Sequence, residues 1–352
     1  ALDKLLGEHA SMAVFAMQKG FDGSKDFDAI AAALDENTVA LSGAIGSVYG
    51  DEAEQAFLDM WREHIGFFVD YTVATAGDDQ QGRQAALDKL AGYRAEFSQF
   101  LGEATGLPAE AISEGLQAHV DQLTGALDTY AAGDYPQAYA QLREAYDHLT
   151  MVGDTLAGAI AEQSPDKFPL EPATTAAVDL RVALDKLLGE HASMAVFAMQ
   201  KGFDGSKDFD AIAAALDENT VALGEAIGSV YGDEAEQAFL EMWREHIGFF
   251  VDYTVATAED DQQGRQAALD KLAGYRAEFS QFLGDATGLP AEAISEGLQA
   301  HVDQLTGALD QYAAGDYEAA YATERGAYEH MWMTGDTLAG AIVQQNPDMF
   351  SG

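Results

Sequence analysis

All eight histidines of this chain fall in helical segments, none in a loop or tail; in each half the first three sit in the apolar stripe and the fourth on its flank. His9, His64, His119 and His148 lie in one half, and His191, His246, His301 and His330 repeat them in the other. Three of the four in each half have a methionine one turn away. Met12 follows His9, Met60 precedes His64 and Met151 follows His148, with Met194, Met242 and Met333 as the second set. Imidazole with thioether is a soft donor set that suits Cu(I), and imidazole also tolerates Cu(II). The same pair serves as axial ligands to haem b inside helical bundles. A titratable ring in a buried stripe needs a hydrogen bond, a metal or a cofactor. The ordinary alternative is packing, since a histidine on an apolar face is usually a satisfied core residue and Met a common filler. If a metal binds, the four histidines of each half should converge with Met12, Met60 or Met151 close by. Affinity should then fall below about pH 6 as free imidazoles protonate.

Two further polar residues interrupt the stripes. Asn37 and Asn219 are candidates for register-fixing amides or cofactor contacts. Arg94 could pair with a carboxylate such as Asp70 or Asp154, or hold an anion or the acid group of a cofactor, and Arg276 is its counterpart in the second copy. Glu8, Glu63 and Asp147 each directly precede a histidine, but adjacent helical residues point about 100° apart, so these acids should face water. Ferritin-like di-iron sites need Glu three residues before His; here Leu6, Trp61, Leu116 and Ala145 stand there. No HExxH helix occurs.

The elements carrying these residues read as helices throughout. In FLDMWREHIGFFVDY, residues 57–71, Phe57, Met60, Trp61, His64, Phe67, Phe68 and Tyr71 recur at steps of three and four. Leu2, Leu5, Leu6, His9, Met12, Ala13 and Met17 mark one face of a first helix, and Ile112, Leu116, His119, Leu123 and Leu127 mark a fifth. Gly20, Gly23, Gly50, Gly106-Leu107-Pro108 and Gly133 punctuate them. A polar tract at 77–82 precedes a fourth helix of roughly Gln84–Ala104, and a sixth runs to about Ala161. The pattern predicts an all-α chain: up-and-down bundles of about six helices. LDKL recurs at residues 2–5 and 87–90, so each bundle reads as two pseudo-repeated three-helix halves, pairing His9 with Arg94, Asn37 with His119 and His64 with His148.

At Ala183 the sequence restarts as ALDKLLGEHASM. Residues 1–162 and 183–352 are thus two copies of one domain, joined by 163–182, a stretch with Pro165, Pro169 and Pro172 that reads as a linker. The chain of 352 residues carries 60 acidic against 18 basic side chains, a formal net charge of -42. Such a surface repels nucleic acid and anionic membranes; it serves solubility and salt tolerance, or attracts cations. No apolar run approaches the roughly 18 residues of a membrane span. The absence of Cys removes thiolate metal sites and fits an oxidising exterior.

The runs LLGEHASMAV, LDENT, IGSVYGDEA, WREHIGFFVDYT, GLQAHVDQL and AYDHLTMVGD resemble those of a family of secreted bacterial helical proteins often labelled copper amine oxidase, or copper amine oxidase domain-containing. The resemblance covers nearly the whole chain, once per copy, and implies an extracellular or envelope-associated location and a link to copper. It does not extend to amine oxidation: no Asn-Tyr pair exists to supply the Tyr-derived cofactor, and the helical pattern departs from that enzyme's β-sandwich. No nucleophile–base pair or Gly-rich phosphate loop occurs either, so no enzyme is expected. The sequence therefore points to a secreted acidic protein that scavenges, buffers or delivers copper. A haem b electron carrier and a structural envelope protein with packed histidines are the alternatives.

Overall fold

The computed structural model describes residues 1–168 and 175–350. Among them the chain is all-α, with no strand. It divides into two compact units, residues 1–171 and 172–352. The first holds α1 (Leu2–Asp22), α2 (Phe27–Tyr49), α3 (Asp51–Ala76), α4 (Gln80–Thr105), α5 (Ala109–Ala131) and α6 (Tyr135–Gln163). The second holds α7 (Ala176–Phe203), α8 (Phe209–Tyr231), α9 (Asp233–Ala258), α10 (Gln262–Thr287), α11 (Ala291–Ala313), α12 (Tyr317–Gln345) and the single-turn α13 (Pro347–Phe350).

Local chemistry sets the boundaries. Gly23 ends α1 at φ 61°, its N–H and that of Ser24 returning to the carbonyls of Gly20 and Lys19. Gly is favoured there because a Cβ penalises left-handed backbone. Gly50, at φ 90°, both closes α2 and opens α3. The fourth helix starts earlier than the tract 77–82 suggests, because the Asp79 carboxylate accepts from the N–H groups of Gln81 and Gly82 and caps α4 at Gln80. The linker reading of 163–182 also needs correction. Residues 176–182 are helical, with the Thr175 hydroxyl capping α7 at the Val178 N–H. Pro169 and Pro172 lie outside the described residues.

Each unit is built around its first helix. α1 packs against α2, α3, α5 and α6, while α4 lies outside α1, against α3 and α5. Every residue from Leu6 to Lys19 is consequently buried, where the sequence suggests a single apolar face. Gly7, Ala10, Ser11, Ala13 and Ala16 are small enough for neighbours to close in on all sides. At Gly153 of α6 a side chain would meet the backbone of Leu2 and Asp3. Polar pairs fix the arrangement. Lys19 Nζ meets Asp26 Oδ2 at 2.8 Å, both side chains almost fully buried. Tyr130 Oη of α5 donates to Asp22 Oδ2 at 2.7 Å. Arg83 donates to the Tyr71 hydroxyl at 2.6 Å, and Tyr71 donates to Asp128, joining α3, α4 and α5. α7 is enclosed in the same way from Leu187 to Lys201.

Candidate metal centre

His9 comes from α1, His64 from α3 and His119 from α5, alternate helices that meet in the interior. The three recur at equal intervals along the chain, as do His191, His246 and His301. Each triad offers one ring nitrogen per histidine, all within 4.8 Å of one another, and all six rings are buried. The ring centres of His9 and His64 are 5.6 Å apart, those of His9 and His119 5.8 Å, and those of His64 and His119 6.5 Å. Three imidazoles at about 2.0 Å from a common ion stand roughly 3.3–3.6 Å apart in trigonal or tetrahedral geometry. Nitrogens that all lie within 4.8 Å of one another stand near that range.

The walls are aromatic. Trp61 lies 4.6 Å from His64, edge-on, and 4.9 Å from His9. Tyr93 stacks on His64 at 5.0 Å, and Phe68 meets His64 and His119 edge-on. Phe57 and Phe97 pack behind Trp61. A cavity of about 130 Å³ reaches His64, His119, Tyr93 and Arg94 from a largely apolar lining.

Inside this frame both ring nitrogens of His9 and of His119, and Nδ1 of His64, have no hydrogen-bond partner; His191, His246 and His301 match them atom for atom. Trp61 Nε1, Tyr93 Oη and Arg94 Nε are unpartnered as well. A buried donor left without an acceptor costs about 1–3 kcal/mol. A metal ion would satisfy one lone pair on each ring.

Burial also sets the charge state. His64 is pushed down to about 3, first by desolvation and then by the neighbouring charge of His119, with the Trp61 carbonyl opposing. Desolvation holds His9 and His119 well below 6.5, with further depression from the neighbouring histidines. The second triad shows the same shifts. Neutral imidazole is the ligating form. Proton competition for the folded site thus sets in below the pH of about 6 that free imidazoles suggest.

Not every sequence candidate belongs to the triad. His148 is only half-buried, and its Nε2 lies 2.9 Å from the Gly115 carbonyl, so the fourth histidine does not converge with the other three. His330 does the same with Gly297. Met12 and Met194 are buried on α1 and α7. Met60 and Met242 pack in the apolar clusters around Trp61 and Trp243. Met151 and Met333 are more than half exposed, which removes both from a buried centre.

Asn37 has a different role from the cofactor contact considered for it. Its amide donates to the Leu5 carbonyl at 2.9 Å and to Glu8 Oε2 at 2.6 Å, and Asn219 does so to Leu187 and Glu190. Glu8 is correspondingly buried rather than facing water, because α1 has no solvent side. Glu63 is exposed as expected. Asp70 pairs with Lys89 at 2.7 Å rather than with Arg94. Arg94 and Arg276 line interior cavities beside the triads. Tyr93 and Phe97 escaped sequence notice, although Leu90, Tyr93, Phe97 and Leu101 recur at helical spacing on α4.

No protein-family model, curated protein or solved structure matches the chain.

Proposed function

We propose that each domain holds one copper ion, as Cu(I), on its three imidazoles, and that the protein scavenges, buffers or delivers copper as a secreted or envelope-associated protein. The observation that carries the reading is the pair of buried triads, in each of which five of the six ring nitrogens have no hydrogen-bond partner. Three neutral imidazoles bring no charge to offset the ion, and the walls are aromatic. The desolvation cost of an ion rises with the square of its charge, so a monovalent ion suits such a site better than a divalent one. Imidazole is a good ligand for copper in either state. The net charge of -42 raises the local concentration of cations. Resemblance of the His-bearing segments to secreted proteins labelled for copper supports the setting.

The triad geometry speaks against haem b. Two axial imidazoles stand about 4 Å apart across the iron. A third nitrogen within 4.8 Å of both would lie where the macrocycle has to pass.

Anaerobic titration of the full chain with Cu(I), against a competing chromophoric chelator, tests the proposal. Two ions per chain are expected, falling to one in His64→Leu and to none in His64→Leu/His246→Leu. X-ray absorption should show a nitrogen-only first shell. Binding of two ions by the double variant would refute the assignment, and no binding by the unsubstituted chain would leave the histidines as packing.

A further inference from the structure

The triad histidines are 1–4% exposed, so an ion has to cross the protein wall to reach them. A bare cation in an apolar passage pays a desolvation penalty of several kcal/mol. Transfer is therefore expected to go from ligand to ligand. In the second domain a cavity of about 320 Å³ is lined at once by the triad's His301, by His330 and by Met333. Met333 is 54% exposed, His330 is partly buried and His301 is buried, so the lining of this cavity spans solvent and interior.

The hydrogen bond of His330 fits it for this position. A carbonyl oxygen only accepts, so Nε2, 3.0 Å from the Gly297 carbonyl, carries the proton. In the neutral ring this leaves the lone pair on Nδ1. A ligating histidine whose other N–H is held by a backbone carbonyl is the usual arrangement at metal sites. His148 and Met151 repeat the pair on α6, with Nε2 2.9 Å from the Gly115 carbonyl and Met151 59% exposed. The first domain's cavity reaches His119 and Val152, with neither His148 nor Met151 in its lining.

We propose that His330 with Met333, and His148 with Met151, form an entry station that passes Cu(I) from solvent to the buried triad. No electron moves: copper remains monovalent while thioether and imidazole exchange for triad nitrogens. The inference rests on the copper reading of the triads, and separating rate from equilibrium tells the two apart.

The test compares the full chain with Met151→Leu/Met333→Leu and with His148→Gln/His330→Gln. Leu keeps the apolar bulk at an exposed site, and Gln keeps an N–H for the Gly115 and Gly297 carbonyls. Cu(I) is offered as its bicinchoninate complex, with loading followed by stopped flow and occupancy measured at equilibrium. The expected result is two ions bound at unchanged equilibrium affinity in every protein, with loading slowed about tenfold or more in both variants. Equal loading rates would overturn the station while leaving the triad intact. A loss of equilibrium affinity matching the loss of rate would make His148 and His330 resident ligands and overturn it too. No binding by the unsubstituted chain would remove both readings.

Discussion

The depressed histidines make the metal-free protein acid-sensitive in a way that can be worked out from His64. In the unfolded chain its imidazole titrates near 6.5, and in the folded domain near 3. Below 6.5 the unfolded state takes up a proton that the folded state refuses, so stability is lost as pH falls from 6.5 toward 3. At pH 5 this one ring costs about 2 kcal/mol relative to neutral pH. His9 and His119 act in the same direction. Against a total of about 5–15 kcal/mol for a domain, the loss is large. Urea unfolding of metal-free protein measures it, with about 2 kcal/mol shifting the midpoint by roughly 1 M. Carboxylate protonation affects any variant alike, so the informative quantity is the difference from His64→Leu/His246→Leu, in which that titration is gone. The double variant should lose at least about 2 kcal/mol per domain less between neutral pH and about pH 5. Parallel pH profiles would refute the idea that these rings are held neutral by burial.

Other expectations concern the frame. Gly153→Ala forces a methyl into the Asp3 backbone and should cost about 1–3 kcal/mol or more, read by thermal unfolding; Gly158→Ala, with open space around its Cβ, should not. Asn37→Ala removes the amide from Glu8 and Leu5 and should cost about 2–4 kcal/mol. Copper affinity should fall with it if the Glu8 contact sets the pose of His9. Lys19→Met leaves Asp26 buried beside an apolar chain and should cost about 3–5 kcal/mol, whereas adding Asp26→Leu should recover most of that loss. A double-mutant cycle in urea checks the pair.

Helices and turns were legible because the 3.6-residue period, the glycines and the prolines carry that information locally. The triad was partly legible: His9, His64 and His119 stood in the apolar stripes and His148 on a flank, yet the methionine one turn beyond made His148 look like a ligand as well. What separates them is tertiary: His148 meets the Gly115 carbonyl of α5, and Met151 is exposed. No local pattern encodes those surroundings. Burial of Glu8 was hidden for a related reason. Gly7, Ala10, Ser11 and Ala13 look neutral to a periodicity argument, yet their small size is what lets α1 be enclosed on every side. The start of α7 at Ala176 was masked by the nearby prolines, which outweighed the cap at Thr175.

The enclosure of α1 also bears on how the protein is made. The helix that leaves the ribosome first is the one whose partners α5 and α6 emerge last. Until they emerge only α2 and α3 are there to cover it, and most helical stability in proteins comes from tertiary packing. Folding of each domain must therefore wait until nearly all of that domain has been synthesised, a high contact order for an all-helical chain. The copper ligands come together at the same late step. A nascent chain consequently offers dispersed histidines rather than a site, and metal capture belongs to the finished domain.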